Sequence, residues 1–258
     1  MASLPGSLRL ATRRRQIGQS VIYQADCLRV LPDLAASGLV VDAVITDPPY
    51  GLTDNDWDQA PPLSYWWRLT WSLLKRTGIA AVCSQQLFTT DLISSARRFW
   101  RYEIVWEKSI GVGFLSAKQR PLRAHEHVQI FARKMGGTYN PQMTEGKPYA
   151  RASTKGRQSS NWGRYNPVAS INQGVRYPRS LLRFSNAPRP GRHPTAKPLE
   201  LMEWLVATYT DPGDLVLDPY MGGCSTGAAC LRLGRQFVGI EQDARYFQMA
   251  TDRLLSLC

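Results

Sequence analysis

The sequence predicts an α/β protein whose mainly parallel sheet is covered by helices on both faces. Short apolar segments with the character of strands alternate with segments of helical periodicity, and the pattern returns near the end of the chain. In the first half, strand character is found at residues 20–24, 40–46, 78–84, 102–107 and 127–132. Residues 63–75, and a segment that ends near residue 98, have the apolar spacing of helices.

Regular structure returns after residue 193. Residues 199–210 have the spacing of an amphipathic helix, residues 215–217 form a strand that ends in Asp218, and residues 225–233 form a helix. Residues 236–240 form a further strand that ends in Glu241. Asp243 is expected to cap a last amphipathic helix.

Length and composition restrict the class of protein. With 258 residues, the chain can hold one α/β domain and an insertion. Its net charge of +12 favours a polyanionic partner, most simply nucleic acid. The five cysteines form no CxxC pair, which predicts reduced thiols in a cytoplasmic protein. No apolar run predicts a membrane span, and residues 1–17 are expected to be a flexible arm.

Residues 136–190 show no sustained period and carry +8 of the net charge of +12. This stretch of 55 residues holds nine Lys or Arg and one acid, with aromatic side chains interleaved. Basic and aromatic composition is typical of nucleic-acid contact, whereas a disordered basic linker is the alternative. The residues predicted to contact DNA are Arg157, Trp162, Arg164, Arg176 and Arg179.

Asp47-Pro48-Pro49-Tyr50 directly follows the strand predicted at residues 40–46. Ligands of open α/β sheets bind at the carboxyl ends of strands. The two prolines lack backbone donors, so their carbonyl groups are free to accept, and the tyrosine offers a flat face. A planar heterocycle with an amino group suits this set, although a proline-rich turn with an Asx cap is equally compatible.

A second motif runs from the strand at residues 215–217 through a glycine-rich turn into a helix. Gly222 and Gly223 let the backbone approach a ligand closely, and Glu241 follows Asp218 at a distance suited to a ribose contact. The spacing is not GxGxxG, so a nucleoside without phosphates is favoured over a dinucleotide, and a structural turn is the alternative. Lys197 would place a cation near an anionic ligand group.

Metal binding is not expected. His125 and His127 are two positions apart on a strand, and no third ligand at metal spacing is evident.

Together the two motifs resemble the S-adenosylmethionine-dependent DNA amino-methyltransferases. Asp47-Pro48-Pro49-Tyr50 comes first, the basic insertion follows, and Asp218-Pro219-Tyr220-Met221-Gly222-Gly223 comes last. This order resembles the circularly permuted β group, and the loop at residues 50–58 and Tyr177-Pro178-Arg179-Ser180 resemble its phage and prophage adenine methylases. The resemblance covers roughly residues 20–255.

The resemblance implies an architecture and a set of partners. It implies a Rossmann-like methyltransferase fold with a mainly parallel seven-stranded sheet in residues 18–135 and 191–258, and a target-recognition insertion at residues 136–190. It also implies S-adenosylmethionine as cofactor, double-stranded DNA as substrate, a possible homodimer and a place in restriction and modification. No metal or membrane partner is implied.

The resemblance also implies roles for individual residues. Asp47, Pro48, Pro49 and Tyr50 would be catalytic: Asp47 and the Pro48 carbonyl would accept the hydrogens of the target amine while Tyr50 stacks on a base that has left the duplex. The cofactor would be held by Asp26, Thr195, Lys197, Asp218, Tyr220, Gly222, Gly223 and Glu241. Cys224 stands where the family mostly has glycine, and we expect it to crowd the cofactor turn.

The alternatives concern the target and the presence of activity. Asp47 in the first motif favours the N6 amine of adenine, whereas cytosine-N4 enzymes more often have serine there. Methyltransferases acting on RNA or on a protein amide usually have the two motifs in the reverse order. A non-catalytic DNA-binding module is the alternative of another class, because fold alone does not establish activity.

Overall fold

A computed structural model of the chain describes residues 11, 13–134, 136–152, 157–159, 161, 163–165, 168–187 and 196–257. Every structural statement below concerns these residues. The chain divides into a larger unit, Met1–Asn140 with Ser180–Cys258, and a smaller unit, Pro141–Arg179.

Six α-helices and fifteen strands are found within the described ranges. The helices are α1 (Cys27–Ala36), α2 (Leu63–Leu73), α3 (Phe88–Ser95), α4 (Leu199–Tyr209), α5 (Ser225–Arg232) and α6 (Ala244–Leu255). The strands are β1 (Arg13–Ile17), β2 (Ser20–Gln24), β3 (Val41–Thr46), β4 (Leu74–Ser84), β5 (Trp100–Val112), β6 (Arg123–Ala132), β7 (Thr144–Glu145), β8 (Tyr149–Arg151), β9 (Arg157–Ser159), β10 (Gly163–Tyr165), β11 (Ser170–Asn172), β12 (Val175–Arg176), β13 (Leu181–Phe184), β14 (Leu215–Asp218) and β15 (Gln236–Glu241).

One sheet organises the larger unit, with strand order β1-β2-β15-β14-β3-β4-β6-β5-β13. Strands β2, β15, β14, β3 and β4 are parallel neighbours, β6 is antiparallel to both β4 and β5, and β13 is parallel to β5. The mainly parallel α/β sheet predicted from the sequence is confirmed. It has nine strands rather than seven, because β1 and β13 extend it at its two edges.

The two edge strands come from segments to which the sequence assigned no strand. Residues 13–17, predicted as part of a flexible arm, pair antiparallel with β2 through a turn at Gly18, and Ile17 is buried. Strand β13, inside the stretch predicted as the insertion, pairs with β5 of the larger unit. Strand β1 is polar and β13 is only four residues long, so only their pairing with a neighbouring strand shows their structure.

Helices cover both faces of the sheet, as predicted. Ile45 of β3 packs in a core with residues of α4, α5 and α6, whereas its neighbour Val44 packs in a second core with residues of α1, α2 and α3. Successive side chains of a strand point to opposite faces, so this central strand contributes to both cores.

Helix α1 is absent from the sequence prediction. Asp26 is its N-cap and accepts a hydrogen bond from the Leu28 amide at 2.9 Å. Pro32 lies inside the helix and interrupts the pattern by which a helix is recognised in a sequence.

The smaller unit consists of short antiparallel pairs. Strand β7 pairs with β12, β8 with β11, and β9 with β10, so that each pair is enclosed in sequence by the previous one. Each strand is two or three residues long. Such lengths are too short for a period to appear in the sequence, so the sequence shows no regular structure in this stretch.

Candidate active site

A cavity of about 960 Å³ lies in the larger unit, at the carboxyl ends of the parallel strands. Both sequence motifs line it. Residues of the first motif on its wall are Asp47, Pro48, Pro49 and Tyr50, and residues of the second are Asp218, Pro219, Tyr220, Met221, Gly222 and Gly223. Asp26, Lys197 and Glu241 line it as well. The structure therefore brings together all predicted catalytic residues and every predicted cofactor residue except Thr195, which lies outside the described residues.

The sheet explains why the two motifs meet. Strand β3 pairs with β14 in parallel, with Val44 opposite Leu217, so both strands end at the same edge. The Thr46 hydroxyl donates to Asp218 Oδ1 at 2.7 Å across this pair, although the two residues are 172 positions apart in the sequence.

The carboxylate of Asp47 has a partner on each oxygen. Lys197 Nζ donates to Oδ2 at 2.5 Å, and the Tyr50 hydroxyl donates to Oδ1 at 2.6 Å. The Tyr50 ring is stacked on Phe88 with 5.4 Å between centroids. The first motif is thus ordered by side-chain contacts before any ligand is considered.

Lys197 also connects Asp47 to a second acid. Its Nζ lies 3.3 Å from Glu126 Oε2, and Lys108 forms an ion pair with the other oxygen of Glu126. The side chains of Lys197 and Glu126 are only 8% and 11% exposed. The family resemblance implies that Lys197 holds the cofactor, and the structure gives its ammonium group two carboxylate partners.

Two members of this buried network, Glu126 and Lys108, were missed by the sequence analysis. Glu126 lies between His125 and His127, a segment considered only for metal binding. Nothing local to Glu126 or Lys108 marks them, because their partners come from other strands or from the segment before α4.

The network determines which groups are charged. Burial alone raises the pKa of Glu126, but the ammonium groups of Lys197 and Lys108 bring it below its usual value. Burial alone lowers the pKa of Lys197, but the carboxylates of Asp47 and Glu126 raise it above its usual value. Burial, and then the Asp47 charge, raises the pKa of the Tyr50 hydroxyl. Lys197 is therefore a cation, Glu126 an anion and Tyr50 neutral at physiological pH.

Asp58 holds the loop that follows the first motif. Its carboxylate accepts hydrogen bonds from the amides of Tyr50, Gly51, Leu52 and Thr53 at 2.7 to 2.9 Å. Burial alone would raise the pKa of Asp58, but the Thr53 hydroxyl, which donates to it at 2.8 Å, and the amides of Gly51, Leu52 and Tyr50 bring it below its usual value. Most of the loop lines the cavity, so this buried acid orders part of the cavity wall.

Asp218 is held by neutral donors. It accepts from the Thr46 hydroxyl and, at 3.1 Å, from the Tyr220 amide, and it is 2% exposed. Burial raises its pKa to about 6, and the hydrogen bond from Thr46 only partly opposes this effect.

Glu241 is held in the same way. Its Oε2 accepts from the Gly222 amide at 3.0 Å and its Oε1 from the Asp243 amide at 2.7 Å. Burial raises its pKa to about 6. A carboxylate has about four acceptor positions, so two remain for hydroxyl groups of a ligand. Neither Asp218 nor Glu241 forms an ion pair with any lysine or arginine that the structure describes.

Cys224 does not crowd the cavity. It precedes α5 in the left-handed conformation, with φ +58°, and is fully buried. The cavity is lined by Gly222, Gly223, Ser225 and Thr226 on either side of it. A Cβ added at Gly227 would lie 2.4 Å from the Cys224 Sγ, so the thiol fills space beside a glycine in the core.

The predicted DNA contacts have different surroundings. Trp162 lies outside the described residues, and for Arg157 and Arg164 only the backbone, in β9 and β10, is described. Arg176 donates to Asn172 Oδ1 and to a carbonyl of its own unit, so it stabilises the smaller unit. Arg179 is exposed.

Among the described residues no group of three His, Cys, Asp or Glu side chains is placed to hold a metal ion. No described helix is both long and apolar enough to cross a membrane.

Comparisons with known proteins point to one family. The profile of the DNA methylase family N6_N4_Mtase matches residues 41–252. The type II methyltransferase M.XycI of Xanthomonas campestris pv. cyanopsidis is 32% identical over 60% of this chain and 44% of its own length. The type II methyltransferase M1.MboII of Moraxella bovis is 27% identical over 89% of this chain and 94% of its own. The crystal structure of an M1.HpyAVI-SAM complex is 27% identical with a TM-score of 0.64, covering 90% of this chain and 98% of that one.

Proposed function

This chain belongs to the N6_N4 family of S-adenosylmethionine-dependent DNA methyltransferases, and we propose that it methylates the N6 amine of an adenine flipped out of duplex DNA. The observation that carries the proposal is the single cavity lined by both motifs. A methyl donor and a base held in that cavity would lie side by side, which is the proximity that methyl transfer requires.

The residues around Asp218 and Glu241 fit S-adenosylmethionine. Glu241 has acceptor positions left for ribose hydroxyls, Gly222 and Gly223 let the backbone approach closely, and Tyr220 and Asp26 complete this part of the wall. A cavity of about 960 Å³ is large enough for a nucleoside and a base together. When bound, the cofactor supplies a methyl group on a sulfonium, which is open to attack by an amine.

Asp47 is placed to activate that amine. A carboxylate that accepts one amino hydrogen, with the Pro48 carbonyl accepting the other, releases the nitrogen lone pair from the ring. Lys197 donates to Oδ2, so we expect the base amine to donate to Oδ1. The Tyr50 hydroxyl donates to Oδ1 in this structure, which identifies that oxygen as a hydrogen-bond acceptor. Tyr50 offers its ring for stacking on the flipped base.

The choice of adenine rests on Asp47 at the head of the first motif. The same geometry serves the exocyclic amine of cytosine, and the family includes enzymes of both kinds. Cytosine-N4 methylation is therefore the second candidate.

Transfer of tritiated methyl groups to unmodified genomic DNA tests this proposal, with nucleoside chromatography of the product. We expect label in N6-methyladenine, and its loss in Asp47→Ala with cofactor affinity retained. Label in N4-methylcytosine would establish the second candidate. DNA binding without incorporation would make the chain a binding module.

We further propose that residues 136–190 contact the DNA and read its sequence. Eight of the twelve net positive charges lie there, and Arg179 is exposed. Replacing Arg157 and Arg164 by alanine should reduce the salt dependence of binding by about two units of slope, roughly one per lost phosphate contact. Arg232→Ala, which removes an exposed arginine paired with Glu203, is the matched control. An unchanged slope in the double variant would exclude this pair as phosphate contacts.

A further inference from the structure

The hairpin that joins β5 to β6 extends beyond the edge of the sheet at which the cavity lies. Strand β6 is antiparallel to both β4 and β5, so β5 ends at the same edge as β4. His127 of β6 is opposite Ser84, the last residue of β4, and also opposite Val105 of β5. The hairpin therefore continues past the end of β4 by roughly 20 Å at ~3.3 Å per residue.

The base of this hairpin belongs to the cavity wall. Ile110, Val112 and Arg123 line the cavity. The side chain of Asn186, which follows β13, accepts from the Ile110 amide at 2.8 Å and donates to the Ile110 carbonyl at 2.9 Å. These two bonds anchor the hairpin beside the position proposed for the flipped base.

The tip of the hairpin, residues 113–122, is apolar and exposed. Phe114 and Leu115 are 76% and 89% exposed, directly after a turn at Gly113 with φ +90°. Two neighbouring apolar side chains that are this exposed among the described residues indicate a surface for a partner.

Basic residues surround these apolar side chains. Lys118, Arg120 and Arg123 are exposed, and residues 109–123 contain no acid. This charge is complementary to a polyanion. It disfavours a second copy of the chain, which would bring the same positive charge to the contact.

We infer that the tip inserts Phe114 and Leu115 into the base stack of duplex DNA next to the extruded base, while Lys118 and Arg120 contact the flanking phosphates. This inference rests on the proposed methylation of duplex DNA. Extruding a base costs the free energy of its pairing and stacking, and apolar side chains inserted at a base step replace part of the lost stacking. The tip thus lowers the free energy of the state in which the target base occupies the cavity.

The test compares two DNA substrates, once the modified site has been mapped. One is a matched duplex, and the other carries the target base opposite an abasic site, where extrusion is easier. For the variant Phe114→Ala with Leu115→Ala, kcat/KM should fall about tenfold or more on the matched duplex and stay within about twofold on the abasic one. Leu255→Ala, another exposed leucine, is the control and should act as wild type on both.

A fluorescence readout separates base extrusion from chemistry. With 2-aminopurine at the target position, the emission increase on binding should be smaller for the tip variant than for wild type. Equal activity of the tip variant and wild type on the matched duplex would overturn the inference, as would an equal loss on both substrates. A change in oligomeric state with unchanged emission would instead make the tip a contact between copies. Failure of the proposed function is distinct, because wild type would then methylate neither duplex.

Discussion

Two pairs of acids face the same cavity and are stabilised in opposite ways. Asp47 and Glu126 are paired with the lysines 197 and 108 in a buried network. Asp218 and Glu241 are held by amide and hydroxyl donors. The first pair is neutralised by cations, whereas burial brings the pKa of each acid in the second pair to about 6.

The difference matches two kinds of ligand contact. Under the proposed function Asp47 polarises a base amine, and Lys197 holds one oxygen of its carboxylate in place. Ribose hydroxyls need acceptors of defined direction, and amide donors orient Glu241 without adding a charge that would compete for it.

Removing Lys197 should have the largest effect, because it leaves Asp47 without its cation and Glu126 with Lys108 alone. For Lys197→Met we expect a loss of about 3–5 kcal/mol in the free energy of unfolding. Single-turnover methyl transfer should fall by about a hundredfold or more, as expected for losing a positioned charge. Urea unfolding and rapid-quench assays measure the two effects.

A companion variant separates stability from chemistry. Lys197→Met combined with Glu126→Gln should regain part of the stability, because Asp47 and Lys108 then leave the network balanced in charge, but it should not regain the activity. If Lys197→Met instead lost cofactor affinity with the chemical step intact, Lys197 would hold the cofactor, as the family resemblance implied.

Substituting Asp58 tests the loop that follows the first motif rather than the charge of the Lys197 network. Asp58→Ala removes the acceptor of four amide hydrogen bonds from the loop that carries Tyr50. We expect KM for DNA to rise about tenfold, since ordering a loop costs roughly 1–2 kcal/mol per residue and the wild type orders it beforehand. Cofactor affinity, measured by calorimetry, should not change; a parallel loss there would mean that the whole cavity had collapsed.

Substituting Asp218 tests the second pair of acids through the raised pKa of this carboxyl group. Because its folded pKa of about 6 lies above the unfolded value, the stability it contributes is present below about pH 4 and is lost as the pH rises through 6. Asp218→Asn should therefore raise the free energy of unfolding by about 1–3 kcal/mol at pH 8 and leave it nearly unchanged at pH 4. Denaturation at both pH values measures this, and equal effects at the two would contradict the assignment to ionisation.

Cys224 should give the smallest effect. The left-handed conformation costs a residue with a side chain about 1–2 kcal/mol, and Cys224→Gly removes this cost. The substitution also removes a buried side chain, whose loss lowers the free energy of unfolding by a similar amount. We expect a net change within about 1 kcal/mol and an unchanged cofactor affinity, because the thiol does not line the cavity. A large gain in affinity would show that the thiol narrows the cofactor site.

Sequence reasoning found the residues of the site that follow buried strands. Asp47, Asp218 and Glu241 were recognisable because each stands at the end of an apolar run, and strand ends collect at one edge of a parallel sheet. Glu126, Lys108 and Asp58 were not, because an acid or a lysine in a strand or loop gives no local signal of the partner that it will meet. Strand β1 and the short strand pairs of the smaller unit likewise give no local signal in the sequence.

The sequence by itself determined the α/β class, the order of the two motifs and the concentration of positive charge in residues 136–190, since these follow from periodicity and composition along the chain. Only the tertiary structure decided that Lys197 contacts Asp47, that Cys224 points into the core and that Phe114 and Leu115 are exposed beyond the cavity. The physical reason is that burial and ion pairing depend on which elements lie side by side. A single strand can be recognised from its own residues, but the order of strands in a sheet depends on the whole chain.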